Sequence, residues 1–474
     1  MDKYLLSALD KIETVDIGPD DLSFDFDTVL EHRIKCQDNK QFISDLMEYM
    51  NNYFSVVIGG SAVIYLEVQL HRHGGVASFC EKKLNFFKQR LEYCAVKIDD
   101  HMIKLSKIWL EHRQRMTYNS IDFCPDPKLI DWVTTFNMYQ GLAISPVEAK
   151  KGKDSDINPI LNHILEVWCQ NDKILFNYVL DWMALIIQKP WIKTKVAIVL
   201  HGEPGCGKGI IVQKFGEIIG QCYKDIHDVD DVLGRFTGSN LKDALVLFLD
   251  EVVWGGDKKS AGKLKKLVTE TTHRIEQKNL PVYTVKSFVN IIMASNEDWI
   301  VPAIKNERRW LVLECNNKYA GISTEDKYDY FSKIVSVPAE AFAYFLYKRN
   351  VENFIPTIIP KSKSLQVQKE LSLNNVEAWW LKCLNEANIC ERYIERWDKD
   401  KITKKLFYET YKFECQGRAS SSSIFWRKMK QLANYNEERL TINGNRQLVI
   451  ILPSYNLCKQ EFKKAMKEPD WIFQ

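Results

Sequence analysis

The stretch Val196-Ala197-Ile198-Val199-Leu200-His201-Gly202-Glu203-Pro204-Gly205-Cys206-Gly207-Lys208-Gly209-Ile210 decides the fold. Residues 196–200 are apolar without alternation, which predicts a strand buried on both faces, as in a parallel sheet covered by helices. The turn that follows has the spacing GxxxxGK and opens a helical run over 210–219. Glycines there let successive N–H groups converge on an anion, the helix N-terminus adds partial positive charge, and Lys208 supplies a full one. Strand, loop and helix in this order point to a triphosphate cradle formed by Gly202, Glu203, Pro204, Gly205, Cys206, Gly207, Lys208, Gly209 and Ile210. ATP with Mg²⁺ is the expected ligand. One position departs from the pattern. The residue after the lysine is ordinarily Ser or Thr, whose hydroxyl ligates Mg²⁺, and here it is Gly209.

Two further apolar runs, 244–249 and 288–294, predict partner strands of the same sheet. The first ends in Asp250-Glu251. A carboxylate pair at the phosphate side of such a sheet suits metal binding by Asp250, with Glu251 also near the ion, and activation of water by Glu251. The second ends in Ser295-Asn296, which would place Asn296 beside the lytic water. Glu307-Arg308-Arg309 follows, and either arginine could meet charge developing on a terminal phosphate.

Between these runs lie Lys258, Lys259, Lys263, Lys265 and Lys266 on a helix, then 273–283, which reads as a hairpin with Lys278 and Asn279 near its tip. Lys266, Lys278 and Asn279 are candidate contacts to a DNA backbone. Upstream, 53–69 reads as two strands around Gly59-Gly60-Ser61, and 157–188 as a long helical stretch ending at Lys189-Pro190. Downstream, 328–349 and 376–388 are helical. Helices over 404–413 and 423–433, the second capped by Ser423, precede a hairpin over 438–452 turning at Asn443-Gly444. That outline is winged-helix-like and puts Arg427 and Lys430 on a helix suited to DNA. The expected organisation is an N-terminal segment 1–52, a mixed then helical region 53–190, an α/β ATPase core 191–320, a helical linker 321–400 and a winged-helix-like domain 401–474.

The chain has 474 residues and a net charge of +3, so any surface for nucleic acid must be local. Its 12 cysteines form no CxxC pair, which argues against a zinc module or a disulfide framework and for a reducing, intracellular, cytoplasmic setting. No apolar run reaches the roughly 18 residues of a membrane span, so no membrane partner is expected. The absence of an Asn-Lys-x-Asp motif after the acidic pair argues against a GTPase.

Taken in order, several motifs resemble those of phage and plasmid primase–helicases of the poxvirus-type superfamily 3 group. They are Ile108-Trp109-Leu110-Glu111-His112, Val179-Leu180-Asp181-Trp182, the phosphate loop, Gly234-Arg235-Phe236, Phe248-Leu249-Asp250-Glu251, Trp254-Gly255-Gly256-Asp257-Lys258, Met293-Ala294-Ser295-Asn296-Glu297-Asp298-Trp299 and Glu307-Arg308-Arg309. The resemblance implies an AAA+ P-loop core, a homo-hexameric ring with ATP between subunits, and 3′ to 5′ movement on single-stranded or forked DNA. It makes Arg308 or Arg309 a finger reaching the neighbouring subunit and Lys278 the hairpin's DNA contact. A loop ending in Lys-Gly is similar to many members of that group. The expected function is thus a DNA helicase for a phage, virus or mobile element, with an AAA+ initiator or remodelling ATPase as the alternative. Asp25-Phe26-Asp27 resembles a two-metal carboxylate pair of a primase. Too few residues surround it for that fold, so it is expected to be structural, with any primase or polymerase a separate polypeptide.

Overall fold

The computed structural model describes residues 21–473 apart from 59–62, 72–75, 127, 130, 132, 229, 235–236, 252–257, 277–281, 304–306, 322–324, 390–401 and 443. The chain is a mixed α/β protein built on a five-stranded parallel sheet. In spatial order its strands are Tyr223–Ile226, Val246–Asp250, Asn290–Ser295, Ala197–His201 and Trp310–Glu314. Numbered along the chain, that order is second, third, fourth, first, fifth. The three apolar runs fall on the three central strands, and their registers pair Ile198 with Ile292 and Phe248 with Ile292. Asn290–Ser295 is buried throughout, as continuous apolar sequence requires. The edge strand Tyr223–Ile226, which is polar at Lys224 and Asp225, is mostly only half-buried.

The helix Lys173–Gln188 closes one side of this sheet, and the fully buried Trp182 donates its indole N–H to Val196 O at 3.0 Å. The expected continuous helix over 157–188 is interrupted. Asn158–His163 runs into a π-helical turn, Ile164–Trp168, and the chain then breaks at Gln170 and Asn171, both in the left-handed region, before Asp172 caps the next helix through Ile174 N and Leu175 N. The expected helix over 328–349 is likewise two, Glu325–Val335 and Ala339–Lys348, parted at Pro338, which lacks an N–H for a continuous helix.

Upstream, the antiparallel strands Phe54–Val57, Ile64–His71 and Val76–Lys83 form the sheet of the N-terminal region. It docks on the parallel core through Glu81, 1% exposed at its side chain, which receives Lys242 Nζ at 2.8 Å and Tyr283 Oη at 3.2 Å. Asp25 caps the helix Phe26–Lys35 by accepting from Asp27 N and Thr28 N, so this carboxylate has a structural task.

Two hydrophobic cores organise the described residues. The larger runs from Phe24 to Leu365. The smaller begins at Val376 and gathers Trp379, Trp380, Phe407, Tyr411, Phe425 and Phe462. The helix Asn375–Glu386, which the sequence alone assigns to a linker, packs within this second core alongside Lys404–Glu414, Ser422–Leu432 and the hairpin Asn436–Ile442/Asn445–Ile451. Ser423 does not cap the second of these helices. The helix starts at Ser422, and Ser421, at the cap position, makes no side-chain capping bond. Between the cores runs the helix Lys363–Leu371. Its Gln368, 2% exposed, accepts from Ile300 N at 2.9 Å and Val301 N at 3.2 Å and donates to Asp298 O at 2.6 Å. The next residue, Lys369, pairs with Glu468 at 2.5 Å. Among the described residues no helix is long and apolar enough to cross a membrane.

Candidate phosphate-binding site

The loop after Ala197–His201 wraps back on itself because Gly205 and Gly207 both adopt left-handed φ, +76° and +97°. Gly207 has a second reason to lack a side chain. A Cβ there would lie 2.5 Å from His163 Cε1 and 2.8 Å from Phe331 Cε1. Glu203, Pro204 and Gly205 form an exposed rim, whereas Cys206 and Lys208 are buried. Lys208, first residue of the helix Lys208–Ile219, turns back over the loop. Its Nζ donates to Gly202 O at 2.7 Å, Glu203 O at 3.1 Å and Asn296 Oδ1 at 2.5 Å.

Asn296 follows directly on the central strand Asn290–Ser295, and its Nδ2 donates to Glu251 Oε1 at 2.9 Å. Sequence-predicted Lys208, Asn296 and Glu251 are therefore joined by one hydrogen-bonded chain. Glu251 stands just past Val246–Asp250, with φ at +54°, unusual for a side chain of its size, and its N–H still bonds Ala294 O at 2.9 Å. The backbone thus swings the carboxylate out of the strand line toward Asn296. Asp250 ends that strand. Burial, then the nearby charges of Asp225 and Glu251, push its carboxyl above the usual range, against the attraction of His227 and Lys208. A pocket with three carboxylates and a lysine is one in which a divalent cation would relieve repulsion, and its oxygen donors suit Mg²⁺.

Gly209 faces Phe248, and a Cβ there would meet the ring at 3.6 Å, an ordinary contact. Sterics do not forbid a hydroxyl-bearing residue at this position. Ile210, the last of the expected nucleotide-contacting residues, is half-buried in the first turn of the helix.

Three residues that sequence reading missed hold the loop from behind. His163 is fully buried, with Nε2 2.9 Å from Gly207 O and Nδ1 3.0 Å from Tyr330 Oη. A carbonyl can only accept, so Nε2 carries the proton and Nδ1 accepts from the phenol. Burial lowers the imidazole pKa to about 4, which keeps it neutral. Tyr330 in turn stacks on Tyr319 with ring centroids 3.8 Å apart. Asn317 Oδ1 accepts from Glu203 N at 3.2 Å. Inside the loop, the hydrogen bond from the Cys315 thiol, then the charge of Lys208, lower Cys206 below the ordinary thiol range.

The arginines do not join this group. Arg309 pairs at 2.9 Å with Glu307, whose side chain is fully buried and also accepts from the N–H groups of Arg308 and Arg309. Arg308 is exposed. The ion pair fixes the turn into Trp310–Glu314.

The expected hairpin is present as Thr272–Ile275 and Tyr283–Lys286, antiparallel, while Lys278 and Asn279 lie outside the described residues. Its base is fastened by Lys193, whose Nζ donates to Leu267 O, Glu270 O and Ser287 Oγ at 2.7–2.9 Å. Burial brings this lysine down to about 7. Lys266 is exposed, 3.9 Å from Glu270. Arg427 and Lys430 are exposed one turn apart on Ser422–Leu432.

Comparison with known proteins sets these features in context. The model of a family described as being of unknown function (DUF5906) matches residues 200–309, the loop through Arg309. A DNA primase-polymerase of Nitratiruptor phage NrS-1 is 31% identical over 141 residues, 29% of this chain. The match spans 19% of that protein's length. Structures of the NrS-1 C-terminal region share the fold, with TM-scores of 0.58 and 0.60 at 19% and 18% identity, over 86% of this chain and 98–99% of theirs. These likenesses correct the functional expectation. The relative is named for primase and polymerase activity, not as a superfamily 3 helicase, so the ring motor, its trans finger and the initiator alternative are set aside. The chain is similar to part of a phage DNA primase-polymerase.

Proposed function

We propose that this chain is the nucleotide-binding region of a DNA replication protein of the phage primase–polymerase class. The site at 202–209 takes ATP or another nucleoside triphosphate with Mg²⁺ and cleaves its terminal phosphate. The observation that carries this reading is the chain Lys208–Asn296–Glu251, which places a cation, an amide and a carboxylate at one end of a parallel sheet. We read that sheet, with its first strand between the fourth and fifth, as an AAA+ P-loop core.

Each residue then has a task. The loop N–H groups and Lys208 hold the phosphates, and Lys208 exchanges its bonds to Gly202 O and Glu203 O for phosphate oxygens. Asp250, with Asp225 nearby, would hold Mg²⁺. Glu251 accepts a proton from the attacking water, and Asn296 orients both. When bound, the metal would supply charge neutralisation. Exposed Arg427 and Lys430, with Arg439 and Arg446 on the adjoining hairpin, make the C-terminal helices the surface for DNA. The five-part division of the chain is retained with one change, Asn375–Glu386 going with the C-terminal module.

The test is titration of a fluorescent ATP analogue with and without Mg²⁺, followed by phosphate release. Wild type binds and turns over, and Lys208→Ala does neither. Wild-type protein that binds no nucleoside triphosphate at millimolar concentration overturns the reading.

A further inference from the structure

We propose that Lys327 is a second cation of the phosphate site, supplied by the chain itself from the helix Glu325–Val335, and that it contacts the triphosphate at the exposed tip of the loop. This rests on the nucleotide-binding reading above and adds to it a residue that no motif marks.

The geometry is that of one helix face laid against one loop. Lys327, Tyr330 and Phe331 are spaced i, i+3 and i+4, so they project from the same side of the helix. Tyr330 bonds His163, which holds Gly207 O. Phe331 Cε1 fills the space a Cβ at Gly207 would take. Lys327 lies at the other end of this face, and its Nζ is 3.1 Å from where a Cβ at Gly205 would stand. The ammonium therefore sits beside the left-handed tip of the loop at Gly205, whereas Lys208 reaches Gly202 O and Glu203 O. In this arrangement Lys327 also donates to Gly321 O at 3.1 Å, and a bond to a phosphate oxygen is stronger than one to a carbonyl because both its members are charged.

Position and charge balance agree. Arg309 is committed to Glu307, and Arg308 is exposed on a different segment. A triphosphate carries more negative charge than Lys208 and one divalent ion neutralise. Tyr330 and Phe331 are anchored at Gly207, so Lys327 needs no large movement to follow the loop; rotation of its own side chain is enough.

The experiment compares Lys327→Ala and Lys327→Arg with wild type in full-length protein, measuring affinity for ATP and ADP and the rate of phosphate release, with thermal unfolding as the check on folding. Loss of a charge-assisted contact predicts about a tenfold to hundredfold weaker ATP affinity in Lys327→Ala. ADP affinity should fall much less, and Lys327→Arg should recover most of the ATP affinity. Unchanged ATP affinity in a Lys327→Ala protein with wild-type unfolding behaviour overturns the proposal. So does an equal loss for ATP and ADP, which would mean a distorted loop. The underlying reading fails separately, when wild type itself binds neither nucleotide.

Discussion

His163 Nε2 donates to the carbonyl oxygen of Gly207 across 2.9 Å, joining residues 44 positions apart. The bond fixes the left-handed glycine from outside the loop and makes the shape of the phosphate cradle depend on an element that precedes the sheet. Replacing the ring removes a buried donor and leaves Gly207 O unsatisfied, at a cost of about 1–3 kcal/mol. His163→Ala should lower thermal stability and weaken nucleotide binding together, whereas His163→Gln, which retains an N–H donor, should lose less of both. Identical melting and nucleotide affinity in wild type and His163→Ala would remove this role.

The same imidazole gives a signed pH dependence. Burial depresses its pKa to about 4 from the ordinary 6.5, so the unfolded chain takes up a proton that the folded one refuses. Stability from this group is present above pH 6.5 and falls as pH drops toward 4, by about 3 kcal/mol in all. Denaturant unfolding across that window should show a shallower acid slope in His163→Gln than in wild type. Parallel slopes would count against it.

Gly207 and Gly209 should respond oppositely to a side chain. Gly207→Ala combines positive φ with a 2.5 Å clash and should destabilise the fold by at least about 1–2 kcal/mol. At Gly209 the Cβ meets only Phe248 at 3.6 Å. Gly209→Ser should therefore fold normally and restore a hydroxyl near Asp250, tightening Mg²⁺-dependent nucleotide binding by roughly tenfold. Measurement of affinity against Mg²⁺ concentration decides, and a weaker metal dependence in the serine variant would refute it.

Asp250 carries a charge the folded state disfavours, because burial and the neighbouring Asp225 and Glu251 raise its pKa. The sign follows: above its pKa the ionised group destabilises the fold, and removing the charge relieves it. Asp250→Asn should raise the melting temperature at pH 7 by roughly 2 °C while abolishing Mg²⁺-dependent turnover. A lower melting temperature would show that the carboxylate is held by attraction instead.

Glu307 is buried at its side chain, with Arg309 at 2.9 Å and two backbone donors. Glu307→Ala leaves the guanidinium without its partner and should cost about 3–5 kcal/mol. Arg308→Ala, at an exposed position, should change stability by less than about 0.5 kcal/mol.

What the sequence shows and hides follows from the range of the interactions. The three central strands were legible because continuous apolar runs have one common solution, burial on both faces. Lys208 is legible from the glycine spacing of its loop, and Asp250, Glu251 and Asn296 because they stand at the ends of such runs. Arg309 is less legible, since Arg-Arg after Glu reads equally as a finger or as an ion pair, and the pair with buried Glu307 leaves no local pattern. His163, Lys327 and Tyr330 were invisible for another reason. They reach the loop from helices with no periodicity that refers to it, and long-range contacts of single polar residues leave no local pattern. Breaks were written more plainly than they were read. Asn171-Asp172 is a stop followed by a cap, and Pro338 parts two helices.

Gln368 has a consequence for the C-terminal module. Its three hydrogen bonds go to residues 298–301, which begin two positions beyond Asn296, while the adjoining Lys369 holds Glu468. The module is therefore indexed like a key in a slot, not hung on a tether. Turning it about the connecting helix would break the Lys369–Glu468 pair and the bond from Gln366 to Ile472 O. Its bearing is set by the short segment that leaves the central strand, so Arg427 and Lys430 stand in a set direction from the loop at 202–209.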